Sequence, residues 1–243
     1  MDLGIAGRRA AVAGASRGLG LAVARALAEE GAEVAICGRD EEALTRSAEA
    51  IGATAVVGDV STAQGAGAFV RQARAALGGL DILIANAGGP PPGRFADVSD
   101  PQEYARAFEL NCLSTIAMCA EAVPTMQAQQ WGRVLAITSI AVRQPIPHLI
   151  LSNTARAGVT GFLKTLAGEV APDGVTVNSL QPGFHDTERL RALGTTDTST
   201  IPVGHLGDPD RFGRIAAFLC SDAAGFLTGA AIPVDGGASK GLQ

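Results

Sequence analysis

A doubly wound α/β sheet of parallel strands, folded as one domain, is the architecture this sequence predicts. Three observations carry it. Short apolar runs alternate with longer amphipathic ones from end to end. Most short runs are apolar at successive positions, as strands buried on both faces are. No repeat, low-complexity tract or composition break divides residues 1–243. Each parallel strand needs a crossover, and the right-handed crossover sets a helix on one sheet face or the other, so helices are expected on both faces. A hydrophobic share of 47% supplies a continuous core, and with aromatics at only 4%, Ala and Gly do much of the packing.

The first run, AAVA (10–13), leads through a glycine-rich turn into a helical pattern at about 19–30. There Leu19, Val23 and Leu27 form a stripe at i, i+4 and i+8, and Gly31 is placed to end the helix. EVAIC (33–37) precedes a helical pattern at 40–51, and AVV (55–57) precedes one at 62–77. DILIA (81–85) is the fourth strand. Next, the prolines of GGPPPGRF (88–95) favour an extended path before a long helical pattern at 101–129. RVLAIT (133–138) is followed by a helix at 152–171, then VTVNSL (175–180). The polar stretch TERLRALGTTDTSTIP (187–202) breaks the rhythm again and is expected to form a short substrate lid. A helix at 208–221 and the strand AAIPV (230–234) complete the pattern. Both interruptions follow carboxyl ends of strands, the edge where open α/β sheets bind ligands.

Composition excludes several function classes. The net charge is −5 and the basic residues are dispersed, which leaves no electrostatic footprint for nucleic acid or anionic membrane. Small molecules are the expected partners. MDLGIAGRRA lacks a secretion-signal segment and no run approaches the roughly 20 apolar residues that span a bilayer, so a cytoplasmic location is expected. Cys37, Cys112, Cys119 and Cys220 lie in apolar stretches without CxxC spacing and read as buried thiols. His148, His185 and His205 are too scattered for a zinc motif, and no metal is expected.

AVAGASRGLG places Gly14, Gly18 and Gly20 between the first strand and the first helix, with Ser16, Arg17 and Leu19 in the same loop. Glycine there permits a tight turn and close backbone approach to a pyrophosphate, whose charge the helix N-terminus stabilises. The second strand ends CGRD, with no acid at the point where an NAD-binding protein carries one for the ribose 2′-hydroxyl. Arg39, together with Arg17, can neutralise a 2′-phosphate instead, so NADP(H) is favoured over NAD(H). The alternative is that Arg39 is a solvated loop residue, with Asp40 beside it.

GASRGLG (14–20), GDV (58–60), IANAG (84–88), ELN (109–111), ITS (137–139), QPGFHDT (181–187) and PVDGG (233–237) occur in the order found in the short-chain dehydrogenases/reductases, and the chain resembles that family over nearly its whole length. The resemblance implies a Rossmann fold with a seven-stranded parallel sheet, assembly as a homo-oligomer (tetramer or dimer), and hydride transfer between a nicotinamide and a carbonyl or alcohol. It assigns Asp59 and Val60 to the adenine, and Asn86, Ala87 and Gly88 to the cofactor's path. Pro182, Gly183 and Thr187 fall to the nicotinamide carboxamide, and Asn111 and Ser139 to the active site. In the family a tyrosine donates the proton, and a lysine four residues later binds the nicotinamide ribose. Here those positions are Ser152 and Arg156, within SNTAR (152–156). That segment resembles a recurrent reductase-like branch, similar to 3-oxoacyl-[acyl-carrier-protein] reductases, that carries SNxxR in place of YxxxK.

Arginine is a permanent cation with several donors, so Arg156 can hold ribose hydroxyls and stabilise negative charge, though it cannot release a proton. A serine hydroxyl is a far weaker acid than a phenol, so Ser152 polarises a carbonyl, orients a water, or relays a proton from elsewhere. Ser152 also reads as a helix-start residue. If the helix begins by His148, then His148, Ser152 and Arg156 lie at i, i+4 and i+8 on one face, and the imidazole becomes a proton source. Otherwise His148 is a polar residue near a helix N-terminus. His185 either faces the nicotinamide or turns away while its backbone makes the contact. Three functions follow: an NADP(H)-dependent reductase of a small ketone or 3-oxoacyl-type carbonyl with an atypical site, a non-redox enzyme (dehydration, isomerisation or cyclisation), or a nucleotide-binding pseudoenzyme.

Overall fold

The structure, a computed structural model, describes residues 2–192, 194 and 197–241. All seven expected strands form, with boundaries within two residues of those read from sequence. They are β1 (Arg9–Val12), β2 (Glu33–Gly38), β3 (Thr54–Val57), β4 (Ile82–Ala85), β5 (Gly132–Ile137), β6 (Val175–Pro182) and β7 (Ala231–Val234). They pair in parallel in the order β3-β2-β1-β4-β5-β6-β7. The reversal of direction between β1 and β4 is the switch point at which the loops at the carboxyl edge part and leave a cleft.

Burial on both faces follows from the register. Ala10, Val12, Ile82 and Ile84 face one core, with α1 (Gly18–Glu29), α2 (Glu41–Ile51) and α8 (Pro209–Leu219). Ala11, Leu83 and Ala85 face the other, with α3 (Ala63–Leu77), α5 (Ser114–Ala128) and α6 (Ile150–Val170). Alternate residues of one strand thus serve two cores, which is why the strands read as continuous apolar runs. Val23 and Leu27 of the α1 stripe are fully buried. Asp40, Thr62 and Asp208 cap α2, α3 and α8 with side-chain oxygens. All four cysteines are buried free thiols. Among the described residues no helix is long and apolar enough to cross a membrane.

The helix expected at 101–129 is broken. It runs as α4 (Pro101–Phe108), a π-helical turn over Glu109–Leu113, and then α5. Two side chains in the turn are tied to separate elements: the Glu109 carboxylate accepts from the Ala63 amide at 2.7 Å, and the Asn111 amide donates to the Gly88 carbonyl at 2.7 Å. The widened turn reconciles these ties with the helix on either side, as such turns do near functional sites. The expected 152–171 helix begins two residues early, at Ile150, so Ser152 is not its first residue. Within the expected lid, α7 (Glu188–Ala192) is helical; Leu193, Thr195 and Thr196 lie outside the described residues.

Candidate active site

The glycine loop is held by steric fit. Gly14 and Gly18 adopt φ of 57° and 62°, in the left-handed region. A Cβ on Gly20 would collide with the Gly14 carbonyl and stand 2.9 Å from Asn86 Nδ2. That Asn86 amide donates to the carbonyls of Ala13 (3.1 Å) and Gly14 (3.0 Å), fastening the loop to the end of β4. Ser16 packs against Gly38, and its carbonyl accepts from Ser47 Oγ at 2.9 Å. Leu19 packs onto the core beneath. By contrast, a Cβ on Gly18 would meet only Thr187 Cγ2, at 3.9 Å, and one on Gly88 would meet nothing within 4 Å. These two positions border open space.

At the end of β2, Arg39 is exposed, whereas the Asp40 carboxylate is committed to the Ala43 amide at 3.0 Å. The Arg17 guanidinium is exposed and pairs with Glu188 of α7 at 3.0 Å. Asp59 is exposed and accepts from the Ser61 amide at 2.9 Å, while Val60 is buried. Ala87 packs partly buried against the core. Gly183, whose amide donates to the Val234 carbonyl at 2.9 Å, has no room for a Cβ beside Asp235. Pro182 ends β6, and Thr187 Oγ1 accepts from the Leu190 amide at 3.3 Å.

Ser152 and Arg156 lie one turn apart on α6. The Arg156 guanidinium reaches the end of β5, donating to the carbonyls of Ile137 (3.2 Å) and Thr138 (3.0 Å), and its Nε donates to Ser152 Oγ at 3.3 Å. Burial, then the nearby Arg189 cation, holds the Arg156 pKa down to about 10, so the group stays protonated at neutral pH. Ser152 is buried, and because its oxygen accepts from Arg156 its hydroxyl proton is free to donate elsewhere. Ser139, just beyond β5, likewise accepts from the Ala141 amide at 3.1 Å and keeps its proton free. Asn111 Oδ1 is a buried acceptor without a partner, an atom that such a site normally satisfies with water or ligand.

His148 does not share a face with Ser152 and Arg156. It precedes α6 with φ of 65°, is exposed, and its Nδ1 accepts from Arg94 Nε at 2.8 Å. The backbone explains this: the His148 carbonyl accepts from the Gly93 amide at 2.6 Å, which pins the segment to the loop after β4 and delays the helix. His185 turns its ring against Phe212 of α8, centroids 5.0 Å apart, and is buried. It lines a cavity of about 390 Å³ with Ile201, Val203, His205 and Phe212, to which Asn111, Ser139, Ser152 and Arg156 contribute nothing.

Burial lowers the His185 pKa, opposed by a hydrogen bond to the Gly183 carbonyl. Its contribution to stability is therefore complete above the unfolded value of about 6.5 and is lost as pH falls through that value toward the folded one. His185→Phe is expected to flatten the dependence of Tm on pH between about 7 and 5. A slope equal to that of the native chain would remove His185 as the titrating group.

Arg189 escapes sequence reasoning. It sits two residues past Thr187 in a polar segment with no pattern to single it out, yet its guanidinium donates to the carbonyls of Gly89 (3.3 Å) and Pro90 (3.4 Å). Among the described residues no cluster of His, Cys, Asp and Glu could hold a metal ion.

Comparison with known proteins identifies relatives over nearly the whole chain. A family model described as enoyl-(acyl carrier protein) reductase matches residues 14–239. The chain is 35% identical over 237 residues to acetoacetyl-CoA reductase from Shinella zoogloeoides, covering 95% of this chain and 98% of that protein. It is 32% identical over 250 residues to dehydrogenase/reductase SDR family member 4 from Homo sapiens, covering 98% and 90%. The crystal structure of L-sorbose reductase from Gluconobacter frateurii, complexed with NADPH and L-sorbose, superposes with a TM-score of 0.93 at 30% identity and covers 100% of both chains. With fold, loop order and relatives all in agreement, the chain belongs to the short-chain dehydrogenase/reductase family of oxidoreductases.

Proposed function

We propose that this protein is an NADP(H)-dependent reductase of a small ketone or 3-oxoacyl-type carbonyl, working in the cytoplasm with a serine and an arginine in place of tyrosine and lysine. The observation that carries the reading is the hydrogen bond from Arg156 to Ser152, which couples a fixed cation to a hydroxyl whose proton remains available. The relatives' activities on acetoacetyl-CoA and on a ketose support the substrate class, and the NADPH complex supports the cofactor.

Gly14, Ser16, Gly18, Leu19 and Gly20 would hold the pyrophosphate, Asp59 and Val60 the adenine, and Arg39 with Arg17 the 2′-phosphate. For Arg17 that contact replaces its pair with Glu188. Asn86, Ala87, Gly88 and Arg156 would border the nicotinamide ribose, and Pro182, Gly183 and Thr187 the carboxamide. The bound cofactor supplies the hydride. Ser139 and Ser152 donate to the carbonyl oxygen, and Arg156 stabilises the alkoxide charge through Ser152. Asn111 fixes the Gly88 carbonyl and offers Oδ1 to a water that replenishes the Ser152 proton. His148 is not placed in this path. The segment 187–202 serves as the lid. A homo-oligomer, tetramer or dimer, is supported by the exposed apolar side chains Ile215, Phe218, Phe226 and Leu227 around α8 and β7.

NADPH oxidation against a panel of small ketones and 3-oxoacyl thioesters, measured beside direct NADPH binding, tests the proposal; binding with no hydride transfer to any of them would overturn it. Arg39→Asp is expected to weaken NADPH relative to NADH by about 10- to 100-fold, since it removes a charge-assisted contact and adds a repulsive one. An unchanged ratio rejects Arg39 as the selector.

A further inference from the structure

Neighbouring residues of α7 face opposite walls of the cleft. Glu188 reaches the glycine loop through Arg17 at 3.0 Å, whereas Arg189 reaches the loop after β4 through the carbonyls of Gly89 and Pro90. A Cβ on Gly89 would stand 2.8 Å from the Arg189 Cζ, so the guanidinium lies directly against the Gly89 backbone. The loop that Arg189 covers is also the one that Asn111 holds at Gly88 and that pairs at Gly93 with the residues entering α6. Arg189 therefore stands over the loop that runs from Gly88 to the entry of α6, the helix that carries Ser152 and Arg156.

The electrostatics there are unbalanced. Asp186 is paired with Arg191 at 2.9 Å and Glu188 with Arg17. Among the described residues neither Arg156 nor Arg189 has a carboxylate partner; both donate to backbone carbonyls, and Arg156 also to Ser152. Burial lowers the pKa of each, and the Arg189 cation lowers that of Arg156 further. Two cations that act on one another thus lack a neutralising carboxylate, on a protein whose overall charge is −5. Arg94, hydrogen-bonded to His148, adds a third cation beside the entry to α6. An anion between Arg156 and Arg189 relieves the repulsion, and the paired donors of a guanidinium suit a carboxylate.

We propose that Arg189 anchors a carboxylate carried by the substrate, so that the site takes short oxo acids in preference to matching neutral ketones or esters. This rests on the reductase reading, and the test keeps the two separable. Acetoacetate and methyl acetoacetate, a matched acid and ester, are compared with saturating NADPH, and acetoacetate binding to the NADP+-loaded enzyme is measured by calorimetry.

The native enzyme is expected to prefer the acid by about 10- to 100-fold in kcat/KM, the worth of a charge-assisted pair. Arg189→Met is expected to bring that ratio close to one, and Arg189→Lys to retain part of it. Equal use of acid and ester by the native enzyme, or a preference that survives Arg189→Met, overturns the anchor and leaves the reductase reading standing. A loss of NADPH affinity in Arg189→Met as large as the loss with the acid assigns the residue to a cofactor phosphate and likewise overturns it. If neither probe is reduced, the calorimetric arm decides alone: binding of acetoacetate that depends on Arg189 upholds the anchor, and its absence overturns it.

Discussion

Arg156→Leu is expected to lower kcat/KM by about a thousandfold, the upper range for removing one preorganised donor from an active site. Leucine is close in volume to the arginine stem but removes the cation that touches Ser152 and strands the Ile137 and Thr138 carbonyls. Arg156→Lys separates charge from geometry. An ammonium keeps the cation but cannot span two carbonyls and a hydroxyl as a planar guanidinium does, so a loss of about 10- to 100-fold is expected. The pH profile supplies a second readout. The cation is required, so activity is lost as pH rises through the pKa of residue 156. In the native enzyme that value is about 10 and the profile stays flat up to it. A lysine desolvated beside Arg189 titrates below its usual value, so Arg156→Lys acquires a basic limb at lower pH. Coincident profiles, or an Arg156→Leu enzyme with near-native kcat/KM, would remove Arg156 from the chemistry.

The strands were legible because each parallel strand is buried on two faces, a condition that Ala10 to Val12 and Ile82 to Ala85 satisfy residue by residue. The glycine loop was legible because its demands are steric and local: Gly14 and Gly18 need positive φ, and Gly20 has no room for a Cβ. What sequence could not show depends on distant partners. The widened turn around Asn111 answers to Ala63 and Gly88, and the non-helical backbone at His148 answers to Gly93. Arg17 was identified as a loop cation, but its pairing with Glu188 joins residues 171 positions apart. Arg189 makes its contacts about 100 residues from its own position, with backbone carbonyls that any residue could supply. Periodicity and motif spacing carry no trace of such a bond.

Ser139→Ala and Ser152→Ala are each expected to lower kcat by about a hundredfold with little change in KM, because each hydroxyl matters most once negative charge develops on the oxygen. The double variant should lose less than the product of the two, since both hydroxyls serve one oxygen atom and act as a unit. Multiplicative losses would place them on separate atoms, and a Ser152→Ala enzyme with native kcat would sink its role as donor. The same site predicts its own pH behaviour. Asn111, Ser139, Ser152 and Arg156 include no group that titrates near neutrality, so kcat should be level from about pH 6 to 9. His148 is the control. Its ring is exposed and bonded to Arg94 outside α6, so His148→Ala should leave that level profile intact. A pH dependence of kcat that disappears with His148→Ala would instead make the imidazole the proton source, and would require the segment before α6 to rearrange when substrate binds.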